Sequence, residues 1–152
     1  MRKVPLGTTI AYGMPGLGAG YMYLLMSLYV MKFSTDVLLI APAVMGVIFS
    51  ISRIWDAVSD PIAGYLSDRT TFKFGRRRTW MLISFIPISF GFLAVFSPPE
   101  SMQGQSLDLW MMIAIISFYS AITLLNVPHM ALGAELSEDY HERTRLFGVR
   151  HI

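Results

Sequence analysis

Three charged residues lie inside a long apolar stretch of this sequence of 152 residues. They are Arg53, Asp56 and Asp60, and the stretch that holds them, about residues 37–66, is long enough to cross a bilayer. At 100° per residue the three side chains fall within about 60° of each other, so they form one stripe along a helix. Each charge costs about 2.5–3.5 kcal/mol at the centre of a membrane, so the stripe must face protein or water.

The spacing of the two carboxylates allows two interpretations. Asp56 and Asp60 are one turn apart, about 6 Å along the helix axis, and their repulsion favours a proton or a metal cation between them. Alternatively, Arg53 and Asp56, spaced i,i+3, form a static salt bridge and leave Asp60 unpaired. The pattern favours the first interpretation, a site for a coupling cation, Na⁺ or H⁺.

The composition predicts an all-α integral membrane protein. The hydrophobic fraction is 54% and the charged fraction 14%, which is more apolar surface than a soluble core of this size can bury. No cysteine is present, and no nucleophile–base set or cluster of metal ligands indicates an enzyme, so we expect no cofactor and no nucleic-acid partner. The predicted membrane spans are residues 8–32, 37–66, 80–97 and 109–134.

Basic residues predict the orientation of these spans. The loop 67–79 is rich in Lys and Arg, and Arg2 and Lys3 lie on the same side of the membrane as this loop, whereas Lys32 lies on the other. By the positive-inside rule, the N-terminus and the loop are cytoplasmic, and the protein is a multi-pass protein of the plasma (inner) membrane.

A second polar stripe lies on the fourth span. Tyr119, Thr123, Asn126 and Met130 share one face, and Thr and Asn offer oxygen atoms to a ligand. The residues predicted to face the substrate are Tyr119, Asn126 and Met130, together with Gly20 on the first span. Such residues also commonly hydrogen-bond neighbouring helices, and His129 is expected to be a packed or interfacial histidine rather than a ligand. On the first span, Gly16 and Gly20 make a small-xxx-small pair that predicts a helix-packing face.

The basic loop also has two interpretations. It either holds the topology and attracts anionic lipid headgroups, or it forms ion pairs that break and re-form as helix bundles rock. The residues of this predicted gating loop are Gly64, Asp68, Arg69, Gly75, Arg76 and Arg77.

These motifs together resemble a known family. The loop resembles the signature between the second and third helices of major facilitator transporters. The longer pattern is similar to that of the glycoside–pentoside–hexuronide:cation symporters, the branch that includes the melibiose permease. The residues that carry it are Arg53-Ile54-Trp55-Asp56, Asp60-Pro61, Gly64, Asp68-Arg69, Gly75-Arg76-Arg77-Arg78 and Trp80.

The resemblance implies uptake of a sugar, a glycoside or a related small solute, driven by Na⁺, H⁺ or Li⁺. Asp56, Asp60 and Thr123 match the cation site of the family, with Ser59 at the intervening polar position.

The sugar site departs from the family pattern. The sugar-binding aspartates correspond to Gly20 and Asn126, a lysine to Ala19 and a tryptophan to Met130, which leaves a non-sugar, lipid-like solute as an alternative. A membrane scaffold or fragment that does not transport is the alternative from another class.

The chain is expected to be the N-terminal part of a partial major facilitator fold, with about four transmembrane helices and the start of a fifth. Its expected partners are the lipid bilayer, a small-molecule solute and the missing C-terminal helices of its own full-length chain, without which it should not transport. Arg53, Asp56 and Asp60 sum to one net negative charge, so Arg53 serves as charge balance and one monovalent cation would neutralise the cluster.

Overall fold

The computed structural model describes residues 6–70 and 76–136, and every secondary-structure element in these residues is a helix. This confirms the predicted fold class, although the predicted start of a fifth helix lies outside the described residues. A π-helical turn, Phe33–Val37, continues the first helix. The four helices are α1 (Leu6–Lys32), α2 (Pro42–Arg69), α3 (Arg76–Phe96) and α4 (Gln105–Leu136).

Helix α2 begins five residues later than the start of the predicted span at residue 37. Leu39 has a φ of 57°, in the left-handed region that an α-helix cannot contain. Ala41 is extended, with φ −58° and ψ 133°, because the ring of Pro42 disfavours the helical conformation in the residue before it. Pro42 itself suits the first helical position, where its missing N–H has no partner to lose.

The connection between α2 and α3 is shorter than the predicted loop 67–79. Helix α2 continues to Arg69 and α3 begins at Arg76, so both ends of that predicted loop are helical. Polar and basic residues are compatible with helix, and the apolar pattern that marks a membrane span does not mark the ends of the helix that contains it.

Two of the four helices, α3 and α4, are long and apolar enough to cross a membrane by length and composition, in the part of the chain that the structure describes. The charged residues of α2 and the many glycines and tyrosines of α1 lower their mean hydropathy. On α3, large apolar side chains recur every three or four residues and are exposed, as is typical of a face that contacts lipid. They are Leu82, Ile86, Phe90 and Leu93.

Helix α4 lies at the centre of the packing, between α2 and α3. Its fully buried side chains include Met111, Ile115, Phe118 and Leu125. At Gly91 the two helices α3 and α4 approach so closely that an added Cβ would lie 2.9 Å from the Cα of Phe118. This packing holds one face of α4 against α3 and leaves another face to meet α2.

Candidate functional site

A cluster of three side-chain oxygens joins α2 to α4. The Oγ1 of Thr123 lies 3.1 Å from the Oδ1 of Asp56 and 3.0 Å from the Oδ1 of Asp60. The hydroxyl has one proton and can donate it to only one carboxylate at a time. The two carboxylate oxygens are within about 6 Å of each other because both contact the same hydroxyl.

The cluster forms because two residues on one face of α2 pack against one residue of α4. Asp56 and Asp60 are one turn apart on α2, and Thr123 projects from the face of α4 that packs against them. Thr123 is buried, Asp56 is half-buried and Asp60 is exposed, so the cluster is closed on the α4 side and open beside Asp60. Ser59 bonds the backbone carbonyl of Asp56 and has no bond to the other members of the cluster among the described residues.

Arg53 lies beside the cluster and contacts the other carboxylate oxygen of Asp56. Its Nη1 is 3.8 Å from the Oδ2 of Asp56, and its Nη2 donates a hydrogen bond of 3.5 Å to the hydroxyl of Tyr23. The guanidinium carbon also lies 5.3 Å from the ring centroid of Tyr119. Asp60 has no ion pair within the described ranges, so the arginine balances one of the two carboxylates.

A second bond between α2 and α4 lies directly beside the cluster. The indole Nε1–H of Trp55 donates to the Oγ of Ser120 at 2.8 Å, and Ser120 in turn donates to the carbonyl of Ile116 at 2.8 Å. Sequence reasoning included Trp55 only as part of a motif and gave Ser120 no role. The sequence feature that could have indicated a role for Ser120 is its position three residues before Thr123, on the same helical face.

The predicted substrate-facing residues occupy different environments. Tyr119 is buried in the core, Asn126 is half-buried, and Met130 is exposed. Gly20 on α1 is exposed, and an added Cβ there would meet no atom of the described chain within 4 Å. The helix-packing face predicted at Gly16 and Gly20 therefore has no partner at Gly20 in this part of the chain.

Residues of the predicted gating loop join the end of α2 to the start of α3. Arg77 Nη2 lies 3.3 Å from the Oδ1 of Asp68, and the Arg69 guanidinium carbon lies 4.6 Å from the ring centroid of Tyr65. Gly64 packs on α4, where its Cβ position is 3.6 Å from Val127. Arg76 is the first residue of α3, and Gly75 lies outside the described residues.

His129 is a packed residue, in agreement with its sequence interpretation. Its side chain is fully buried, and its Nε2 donates a 2.7 Å hydrogen bond to the carbonyl of Tyr12. The hydroxyl of Tyr12 donates back to the carbonyl of His129 at 3.1 Å, and the two rings are 4.3 Å apart. This reciprocal pair joins α1 to α4.

The donor set indicates what kind of ion the cluster can take. Within the described residues no group of three or more His, Cys, Asp or Glu side chains could hold a metal ion. Two carboxylates and one hydroxyl offer hard oxygen donors, and with Arg53 beside them the cluster carries one net negative charge, which suits a monovalent cation better than a divalent one.

The chain belongs to the MFS/sugar transport protein family, whose model matches residues 11–152. This result agrees with the major facilitator fold and confirms the family that the motifs indicated.

Three relatives show the range of that family. An uncharacterized symporter of Synechocystis is 36% identical over 97% of this chain and 28% of its own length. A putative glycoside/cation symporter of Escherichia coli, YagG, is 31% identical over 96% of this chain and 32% of its own. The sodium-dependent lysophosphatidylcholine symporter 1-A of Danio rerio is 33% identical over 73% of this chain and 21% of its own. The chain thus spans less than a third of the length of these relatives.

Proposed function

We propose that this chain supplies four helices of a cation-coupled secondary symporter. The observation that carries the proposal is the convergence of Asp56, Asp60 and Thr123, three oxygen donors from two helices. A scaffold that only binds partners or lipid has no use for an unbalanced negative charge inside a helix bundle, because such a charge costs free energy at membrane depth. Since the chain spans less than a third of its relatives, the activity is proposed for the full-length transporter.

One monovalent cation is transported in each cycle. With both aspartates ionised, Arg53, Asp56 and Asp60 carry one net negative charge, and one bound cation brings the cluster to zero. A neutral cluster favours the occluded state that moves across the membrane, because the uncompensated charge is gone. Na⁺ is the preferred candidate over H⁺, since the neutral hydroxyl of Thr123 adds an oxygen ligand for a metal ion.

The solute is proposed to be a sugar or a glycoside, and the E. coli relative YagG is described as a putative glycoside/cation symporter. A lipid-like solute is the second candidate. Gly20 and Met130, at positions where the family resemblance implies a carboxylate and a tryptophan, present an open backbone and an exposed thioether. Neither offers the hydrogen bonds that a hydroxyl-rich sugar requires.

The ion pair between Asp68 and Arg77 is proposed to belong to the cytoplasmic gate. It joins the ends of two consecutive helices, and the Asp68 side chain is 57% exposed. An ion pair in contact with water is weak, so it can break and re-form as the helices move.

The central experiment measures cation binding and uptake for Asp60→Cys in the full-length transporter. Saturable binding of radioactive Na⁺ in membrane vesicles is expected in the wild type and lost in the variant. Uptake of a labelled methyl glycoside and of labelled lysophosphatidylcholine is measured in parallel, against Na⁺ and against pH.

Asp36→Asn is the matched control, because Asp36 is an exposed acid outside the four helices. It should keep wild-type binding and uptake. If Asp60→Cys is inserted normally and keeps the full Na⁺ stimulation, the carboxylates are structural and the proposed coupling is wrong.

A further inference from the structure

The bond between Trp55 and Ser120 lies on the same seam of α2 and α4 as the oxygen cluster. Trp55 directly precedes Asp56, and Ser120 is three residues before Thr123, so the donor and the acceptor each sit beside a member of the cluster. The two contacts are therefore adjacent along one helix–helix interface.

The direction of this bond is set by the local hydrogen-bond chain. Ser120 donates its only proton to the carbonyl of Ile116 one turn earlier, at 2.8 Å. The oxygen is then left as an acceptor, and the indole N–H of Trp55, which can only donate, fills that place at 2.8 Å. Where no water replaces the serine, breaking the bond would leave the indole N–H without an acceptor, whereas Ser120 would keep its bond to Ile116.

Such a bond fixes the register of one helix against the other. A change of register by one residue moves the position of a side chain by about 1.5 Å along the helix axis and by about 100° around it. A shift of α4 by one residue would take the hydroxyl of Thr123 away from both carboxylates, which it now contacts at 3.1 and 3.0 Å. The oxygen cluster itself holds the register weakly, because the hydroxyl of Thr123 has one proton and can donate it to only one of the two carboxylates at a time.

We propose that Trp55, acting through Ser120, is a positioning residue for the cation site. It does not contact the cation; its indole N–H holds α4 in the register at which Thr123 meets Asp56 and Asp60. This inference rests on the proposed function, since it assigns a role at the same site.

The test is a double-mutant cycle in the full-length transporter, read out as the concentration of Na⁺ that gives half-maximal binding of radioactive Na⁺. Trp55→Phe keeps an aromatic ring and removes the donor, and Ser120→Ala removes the acceptor. Each is expected to raise the half-saturating Na⁺ concentration by about two- to tenfold, the worth of one neutral hydrogen bond. The double variant should raise it no further than the larger single effect, because both changes break the same bond. Ser120→Thr keeps the hydroxyl and should stay near the wild-type value.

The chain offers a matched control for the tryptophan. Trp110 also donates an interhelical hydrogen bond from its indole, to the carbonyl of Ala94 at 2.9 Å, but on the α3 side of α4. Trp110→Phe should leave the half-saturating concentration unchanged. A general loss of folding would lower the maximum amount of Na⁺ bound in all variants without this selectivity.

Three outcomes overturn the inference. A wild-type half-saturating concentration in Trp55→Phe shows that the indole only fills space, and additive effects in the double variant show that the two residues act separately. The absence of saturable Na⁺ binding in the wild type overturns Na⁺ as the proposed coupling cation, and the inference with it.

Discussion

At the scale of single residues, the oxygen cluster is asymmetric. Thr123 is buried, whereas Asp60 is exposed and has no cationic neighbour among the described residues. Asp56 is half-buried, with one carboxylate oxygen near the hydroxyl of Thr123 and the other 3.8 Å from Arg53. A cation that enters beside Asp60 would therefore meet the unbalanced charge first and the fixed hydroxyl last.

Thr123→Ala should weaken cation binding without removing the charge that attracts the cation. A contact with a charged group contributes about 1.5–3 kcal/mol, so the half-saturating Na⁺ concentration should rise about ten- to a hundredfold. Thr123→Ser keeps the hydroxyl and should stay near the wild type. Thr35→Ala is the control, since Thr35 also contacts an aspartate but lies outside the four helices. Equal Na⁺ affinity in Thr123→Ala and the wild type would exclude the hydroxyl as a ligand.

Arg53→Gln should separate cation binding from transport. Without the guanidinium, the two aspartates carry two negative charges, so one Na⁺ should bind at least as well but leave the cluster charged. A charge at membrane depth costs about 2.5–3.5 kcal/mol, so the maximal rate of uptake should fall about a hundredfold. Arg53→Lys keeps the charge and should retain more of the rate. Loss of Na⁺ binding together with uptake in Arg53→Gln would contradict this division of roles.

At the scale of helices, the packing of α3 on α4 depends on one glycine. In Gly91→Ala the new methyl group would lie 2.9 Å from the Cα of Phe118, a backbone atom that cannot turn aside. The two helices must separate, and such overpacking costs about 1–3 kcal/mol, which exceeds the gain of up to about 1 kcal/mol in helix propensity. The melting temperature of the full-length protein in detergent should fall.

A second glycine provides the control for this change. Gly46 lies in α2, and a Cβ added there would meet no atom of the described chain within 4 Å. Gly46→Ala should therefore leave the melting temperature unchanged or raise it. If both variants melt alike, the close approach at Gly91 does not limit the packing.

The helices and the two aspartates of the candidate cluster could be predicted from the sequence because both follow from periodicity within one chain segment, whereas Thr123 was assigned to the cluster through the family resemblance. Asp56 and Asp60 share a face at any helical geometry, and the long apolar runs identify the helices. The start of α2 was missed because the left-handed turn at Leu39 leaves no mark in hydropathy. Other contacts between helices were missed because they depend on relative register, which periodicity does not specify. Trp55 with Ser120 and Gly91 with Phe118 are two such contacts.

At the scale of the whole molecule, apolar side chains are exposed together with charged ones. Leu17, Leu24 and Leu28 of α1 are exposed, and so are the Arg53 and Asp60 side chains of α2. Lipid can cover the leucines, but the two charges require water or further protein.

The orientation of the protein in the membrane can be tested by labelling single cysteines. We expect four spans with the connection between α2 and α3 in the cytoplasm and the connection between α3 and α4 outside, because residues 67–79, which include the first connection and the helix ends beside it, contain five Lys and Arg residues, whereas residues 97–104 contain none. Single cysteines are introduced at Thr70 and at Ser101, which is feasible because the chain contains no cysteine of its own. If the remainder of the full-length protein contains cysteines, they are first replaced.

A membrane-impermeant thiol reagent on intact cells should label Ser101→Cys and spare Thr70→Cys, and both should react after the cells are permeabilised. The opposite labelling pattern on intact cells would invert the orientation, and it would place the pair of Asp68 and Arg77 at an external gate instead of a cytoplasmic one.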